Sequence, residues 1–206
     1  MVSAQDALAR LRDGNRRFAA DVRSHDALAS RARRIELAAG QAPFAVILGC
    51  SDSRVPVEIV FDQGLGDLFV IRVAGNIVAP SQIGSVEFAA EQFGTRLVVV
   101  LGHSQCGAIE ATLEQLQRPK ENQSRNLHAI VDFVRPSVEG LLATDLRHDP
   151  SALLHRAVRA NISASVSHLR RGSDIIEQLI REDGLLVVGA EYCLQTGVVD
   201  FFDGGW

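Results

Sequence analysis

The sequence predicts an α/β protein with a mostly parallel central sheet, helices on its faces and an antiparallel last strand. Three observations carry that expectation. Short β-branched apolar runs recur, Phe44-Ala45-Val46-Ile47-Leu48, Leu97-Val98-Val99-Val100-Leu101 and Leu185-Leu186-Val187-Val188, as strands buried on both faces require. Segments with apolar residues at spacings of three and four separate them, the mark of helices packed on a sheet. The chain has 206 residues, 47% hydrophobic and 22% charged, enough for one well-buried domain, so residues 1–206 are taken as one unit with 1–39 as an N-terminal helical arm.

From the N-terminus, Ala4, Ala7, Leu8, Leu11, Asn15 and Phe18 keep helical spacing, and Ser3 with Asp6 resembles a capping box. The apolar stripe of this helix is narrow, which suits a helix lying across its own domain or a partner subunit. A second helix is expected from Asp26 to Ala39, stopped at Gly40. Strands follow near 44–49, 68–73, 97–102 and 185–190, with helices near 82–93, 106–117, 125–142, 151–170 and 173–182. Gly94 ends the first of these helices, and Asp183-Gly184 stops the last. In the long helix Leu154, Val158, Ile162, Val166 and Leu169 form the stripe. Gln195-Thr196-Gly197 leaves room only for a tight turn, so Val198 to Phe202 should return antiparallel.

Composition excludes several classes. A net charge of −4 gives no nucleic-acid surface, and the cluster Arg31-Ala32-Arg33-Arg34, followed by Glu36, reads as a solvated helix face. No run approaches the ~18 apolar residues of a membrane span. Met1 to Asn15 carries Asp6, Arg10, Arg12 and Asp13 without the apolar core of a signal peptide. Three cysteines do not make a disulfide framework. A cytoplasmic location is expected, and the triplets Asn122-Gln123-Ser124 and Asn161-Ile162-Ser163 are read as chance matches to a glycosylation acceptor. Gly64-Leu65-Gly66 lacks a third glycine and precedes a strand, so a dinucleotide loop is rejected.

The chemistry concentrates at two strand ends. Cys50-Ser51-Asp52-Ser53-Arg54 follows the first apolar run, and His103-Ser104-Gln105-Cys106 follows the second. Two thiols and an imidazole at the carboxyl ends of parallel strands suit a zinc ion with an open fourth position. Gly102 and Gly107 allow the sharp turn around His103, and a helix start at Cys106 favours a thiolate. Asp52 is near enough in sequence to accept a hydrogen bond from zinc-bound hydroxide, and Arg54 can fork onto it. If Arg54 let go, Asp52 could take the fourth position instead, giving an inactive form. Cys193 is expected to serve packing, and His25, His128, His148, His155 and His168 have no ligand spacing.

At these residues the sequence resembles the β-class carbonic anhydrases. The resemblance rests on Cys50 to Arg54, on Phe69-Val70-Ile71-Arg72 and Ala74-Gly75-Asn76 within Gly64 to Asn76, and on Gly102 to Gly107. It is dense from Gly40 to about Leu116. It implies a zinc enzyme interconverting carbon dioxide and bicarbonate, with one zinc per subunit on Cys50, His103 and Cys106 and Asp52–Arg54 as catalytic dyad. It also implies a homodimer or dimer of dimers whose N-terminal helix reaches over the neighbouring subunit.

For the substrate pocket the resemblance implies Gln41 and the Gly107 amide as donors and Phe69 as an apolar wall. Ala74 stands where plant-type members have valine, and Phe88 where they have tyrosine. A branch inhibited by bicarbonate carries tryptophan three residues before the first zinc cysteine. Here that residue is Ile47, although Arg72 and Tyr192 match the other two positions, and Gln41 favours a non-allosteric enzyme. Two alternatives stay open: hydrolysis of a sulfur analogue of carbon dioxide on the same scaffold, and a thiol-redox or structural-metal role for Cys50 and Cys106.

Overall fold

The computed structural model describes residues 2–22, 30–118 and 124–204. The expected starts of the second helix, His25, and the Asn122-Gln123 part of one triplet lie outside them. Five strands form one sheet in the order β2-β1-β3-β4-β5: β1 is Ala45–Gly49, β2 Leu68–Arg72, β3 Leu97–His103, β4 Leu186–Tyr192 and β5 Val199–Asp203. The first four run parallel and β5 pairs antiparallel with β4, as the turn chemistry predicts. Gly197, at φ +76°, supplies the left-handed residue of that turn.

Alternate residues of the strands feed two cores. Val46, Leu48, Val98, Val100 and Val187 face helices α4 (Pro80–Gln92), α5 (Gly107–Gln117), α6 (Arg125–Val138), α7 (Pro150–Arg171) and α8 (Asp174–Glu182). Ala45, Ile47, Leu97, Val99, Leu101 and Val188 face the other way, onto α1 (Ala4–Ala19) and α3 (Val57–Val60). Burial on both sides is why the strands read as unbroken apolar runs rather than alternating ones.

Helix α1 lies on its own chain. Leu8 and Leu11 are fully buried, and Asn15 ties it down: its Nδ2 donates to the carbonyls of Val60 (3.1 Å) and Gly197 (2.9 Å), and its Oδ1 accepts from Val199 N at 2.8 Å. Ser3 Oγ accepts from Asp6 N, as the capping reading requires. Ala4, Ala7, Leu8, Leu11 and Asn15 of the narrow stripe are thus buried within the chain.

Some boundaries moved for physical reasons. Helix α2 spans Arg31–Leu37 and closes with Ala38 N bonded to Ile35 O, before Gly40, which is not its cap. Its Arg33 is not merely solvated: Nε donates to Leu65 O at 3.2 Å and Nη2 lies 3.6 Å from Asp67. Helix α4 starts two residues early because Pro80 suits the first helical position, where no N–H is needed. The segment expected as one helix over 125–142 divides into α6 and a 3-10 turn, Glu139–Ala143, just beyond Pro136. The one-turn helix α3 is too short for periodicity to reveal.

The order of the strands sets up the site. From β1 the chain crosses to β2 on one side, whereas β3 and β4 build on the other. The loops leaving the carboxyl ends of β1 and β3 therefore diverge and open a crevice, where parallel sheets place their ligands.

Candidate metal centre and active site

Cys50 follows β1 directly, and His103 ends β3. Because Gly49 pairs with Leu101 in register, Cys50 and His103 lie at nearly the same level of neighbouring strands. Cys106 joins them as the N-cap of α5, brought round by a turn in which Gln105 takes the left-handed conformation, φ +55°. The ligand atoms of Cys50, His103 and Cys106 lie within 4.8 Å of one another, and all three residues are buried. The sulfurs are 3.9 Å apart and both thiols are free.

Two features of the trio fit a metal such as zinc. His103 Nδ1 lies 2.9 Å from Ser104 O; with its proton donated there, Nε2 keeps a lone pair. That Nε2 is buried with no hydrogen-bond partner, an arrangement that a metal bond would complete. The sulfurs show the same unfinished character. Cys106 donating to Cys50 holds the Cys50 thiol far below its ordinary range, aided by the His103 ring and the Gly75 amide, while Cys106 is pushed up. The pair therefore gives up one proton readily and the second with difficulty, and a bound cation replaces that second proton. For His103, burial opposes a charge, and the Cys50 thiolate beside it more than offsets the burial.

Around the trio the backbone is held by named groups. Gly75 N donates to Cys50 Sγ at 3.4 Å from a 3-10 turn, Ala74–Asn76, that follows β2. Arg72, at the end of β2, donates from Nε to Cys50 O (3.1 Å) and from Nη2 to Asp52 O (2.6 Å), fixing the loop that carries both residues. Asp52 and Arg54 form the expected fork: Oδ1 accepts from Arg54 N and Nε, each at 2.9 Å, and Oδ2 from Nη2 at 2.7 Å. The guanidinium holds the carboxyl well below the usual carboxylate range, and the Arg54 charge is strengthened in return. Asp52 Oδ2 stands 3.8 Å from His103 Nε2, beside the ligand cluster.

The residues assigned to a substrate pocket separate into two groups. Ala74 and Gly107 adjoin Gly75 and Cys106 in the chain and so belong to the metal crevice. Phe69 pairs in register with Val46, four residues before Cys50, about 13 Å of strand away. There it packs with Phe88 and Phe93, ring centroids 6.2 and 6.0 Å off, and Phe88 is 51% exposed. Gln41 is exposed in the loop before β1. Of the bicarbonate-site positions, Ile47 is wholly buried, Arg72 is taken by backbone carbonyls and Tyr192 packs against Phe18. Cys193 is half-buried at the β4–β5 turn, where hydrogen bonding from Thr196 lowers its thiol. Among the described residues no other His, Cys, Asp or Glu group approaches metal-site geometry.

Sequence reading missed two polar partners on α7. Asn161 and Ser165, both buried, hydrogen-bond to the carbonyls of Gly75 (2.8 Å) and Asn76 (3.1 Å). The available signal was their placement, one turn apart, on the apolar stripe itself. It also removes the glycosylation reading of Asn161, whose amide is 2% exposed and already engaged.

Comparison with known proteins agrees with this geometry. The carbonic anhydrase family profile matches residues 45–199. Carbonic anhydrase 2 of Mycobacterium tuberculosis is 39% identical over 187 residues, covering 91% of this chain and 87% of that protein. A carbonic anhydrase of Pseudomonas aeruginosa is 33% identical over 207 residues, covering 93% and 86%. Among solved structures, a tetrameric β-carbonic anhydrase of Sordaria macrospora superposes with TM-score 0.74 at 27% identity, over 84% of this chain and 87% of that one. The Coccomyxa β-carbonic anhydrase in complex with acetazolamide gives TM-score 0.74 at 26% identity, over 95% and 86%. A profile match over most of the chain, relatives alike over nearly its whole length, and a buried Cys-His-Cys trio at the sheet's switch point lead to one conclusion: the chain belongs to the β-class carbonic anhydrase family.

Proposed function

We propose that the protein catalyses the reversible hydration of carbon dioxide to bicarbonate and a proton, with one zinc ion per chain held by Cys50, His103 and Cys106. Zinc held by two thiolates and an imidazole would lower the pKa of a bound water toward ~7. The remaining work falls to the chain's own residues. Asp52 Oδ2, an acceptor only while ionised, orients the attacking water by taking a hydrogen bond from it. Arg54 fixes that carboxylate with two prongs and keeps it charged. Arg72 holds the loop so that Asp52 stays beside His103. If Arg54 released Asp52, the same carboxylate, 3.8 Å from His103 Nε2, would be available as a further metal ligand, which is the basis of an inactive form.

Gln41, Phe69, Ala74, Phe88 and the Gly107 amide are proposed to contact substrate. Self-association as a homodimer or dimer of dimers is supported by β2, an edge strand of the sheet that carries half-exposed Phe69, packed against exposed Phe88 of α4. No helix among the described residues is long and apolar enough to cross a membrane.

The observation that carries this reading is the orphaned His103 Nε2 beside two free thiols, with a forked Asp–Arg pair alongside. A structural metal clip or a redox pair has no use for that fork. The experiment is metal analysis with stopped-flow carbon dioxide hydration on the wild type and Cys50→Ala. One zinc per chain and hydration lost in the variant are expected. A metal-free wild type, or a Cys50–Cys106 disulfide cycling without hydration, would overturn the proposal.

A further inference from the structure

The turn Ala74–Asn76 has an unusual backbone. Gly75 is left-handed at φ +71°, and Asn76, which carries a Cβ, is left-handed as well at φ +43°. Asn enters this region more readily than other side chains, and two consecutive left-handed residues persist where their surroundings hold them. Within the turn only Asn76 N, bonded to Val73 O at 3.0 Å, offers a local tie. Two side-chain hydrogen bonds reach the turn from α7, 86 and 89 residues away in sequence: Asn161 Nδ2 to Gly75 O, and Ser165 Oγ to Asn76 O.

What the turn presents is the Gly75 N–H, directed at Cys50 Sγ. An amide donated to a thiolate sulfur stabilises its negative charge and fixes the direction of its lone pairs. Without Asn161, Gly75 O would be left buried and unpaired, and the 75–76 peptide that bears it would keep only the tie from Asn76 N to Val73 O; because that peptide and the 74–75 peptide carrying the Gly75 N–H meet at the Gly75 Cα, the dihedrals of Gly75 that aim this N–H would be less constrained. Asn161 sits where α7 is otherwise apolar, between Val158 and Ile162, so its burial is costly unless the bond is made.

We infer that Asn161, supported by Ser165, is a positioning residue for the metal centre: from α7 it holds the 74–76 turn in its left-handed form, so that the Gly75 N–H stays on the Cys50 sulfur. Asn161 bonds to Gly75 O and acts on the metal centre through the Gly75 backbone, whose N–H faces Cys50 Sγ. The inference rests on the metal reading above, because its consequence is the affinity and electronic state of the Cys50 ligand.

The test uses the full chain and three variants. Asn161→Leu is close in size and removes the donor. Ser165→Ala removes the second tie. Leu169→Ala opens a cavity at the far end of the same helix and touches no part of the turn. Zinc affinity by chelator competition, the sulfur-to-metal charge-transfer band of the cobalt-substituted protein, and the melting temperature of the metal-free protein are measured for each. Asn161→Leu should weaken zinc about 10- to 100-fold and displace the band, as loss of an outer support of a metal ligand does. Ser165→Ala should act in the same direction and less. Leu169→Ala should lower the melting temperature with zinc affinity and band unchanged. The inference is overturned if the Asn161 and Ser165 variants lose melting temperature alone, with zinc affinity within twofold of wild type. It is also overturned if Leu169→Ala moves the band as they do. A wild type that binds no zinc is a different result: it removes the metal reading itself. Should Asn161→Leu not fold, Ser165→Ala decides the question.

Discussion

Asp52 and Arg54 face each other across one intervening residue in a planar fork, Oδ1 to Nε at 2.9 Å and Oδ2 to Nη2 at 2.7 Å, with Oδ2 also 3.8 Å from the buried ring of His103. Loss of the fork should be felt in the pH profile. In the folded protein the guanidinium depresses the Asp52 pKa, so the carboxylate stays ionised well into acid. Its contribution is complete above the unfolded value of about 3.9 and fades as pH falls through the lower folded value. In Arg54→Ala the acid limb of the hydration rate should move to higher pH, and kcat/KM at neutral pH should drop by roughly 10- to 100-fold. Initial rates followed from pH 3 to 9, a window that includes the ordinary carboxylate value, check this. An unmoved acid limb would show that Arg54 does not govern Asp52.

Metal removal should act on the fold as well as on turnover. The trio lies in buried backbone between β1, β3 and α5, so binding energy becomes folding energy. With free zinc at a thousandfold excess over the dissociation constant, the gain is about 4 kcal/mol. Differential scanning calorimetry should show the chelated wild type melting several degrees lower and recovering with zinc. His103→Ala should melt at one temperature with or without it.

Gly14 carries a prediction in which two effects oppose each other. In an isolated helix Ala is better than Gly by about 1 kcal/mol. Here a Cβ at residue 14 would run into the Phe61 carbonyl oxygen, a backbone atom with little room to yield. Packing wins, so Gly14→Ala should destabilise the protein by roughly 1–3 kcal/mol. Urea unfolding monitored by circular dichroism measures it, and a stabilised variant would mean that α1 does not lie on α3.

Leu11 tests the same docking from the apolar side. It is completely buried among Phe44, Phe61 and β3 residues, so Leu11→Ala should cost about 2–5 kcal/mol. If α1 instead lay on a partner subunit, the loss would depend on protein concentration. Unfolding at two concentrations a hundredfold apart distinguishes the two.

Phe88, exposed beside the β2 edge, addresses self-association. Phe88→Glu should shift the species seen by sedimentation velocity toward monomer without changing the melting temperature of that monomer. An unchanged distribution would place the interface elsewhere.

How much of this was legible beforehand depends on the range of the signal. The strands were readable because a strand buried on both faces must be continuously apolar, and that is a property of five adjacent residues. Cys50, His103 and Cys106 stood out because each follows such a strand, and Asp52 and Arg54 because they share a turn with Cys50. Helix ends were readable where a residue has one local job, Ser3 as cap or Gly94 as stop, and misread where a proline was overlooked at Pro80.

What spacing along the chain could not carry was any relationship between distant segments. That β1 lies between β2 and β3, opening the crevice at Cys50, follows from strand order. That α1 folds onto its own sheet depends on Asn15 meeting Val60, Gly197 and Val199. That Asn161 is a tether rather than a chance triplet depends on Gly75, 86 residues earlier. Local sequence determined which residues must be buried, which can cap or turn, and which could bind a metal, because those properties belong to one side chain and its immediate neighbours. Only the tertiary structure decided which buried polar group meets which, because hydrogen bonds across the fold are chosen by the geometry of packed elements and not by their separation in the chain.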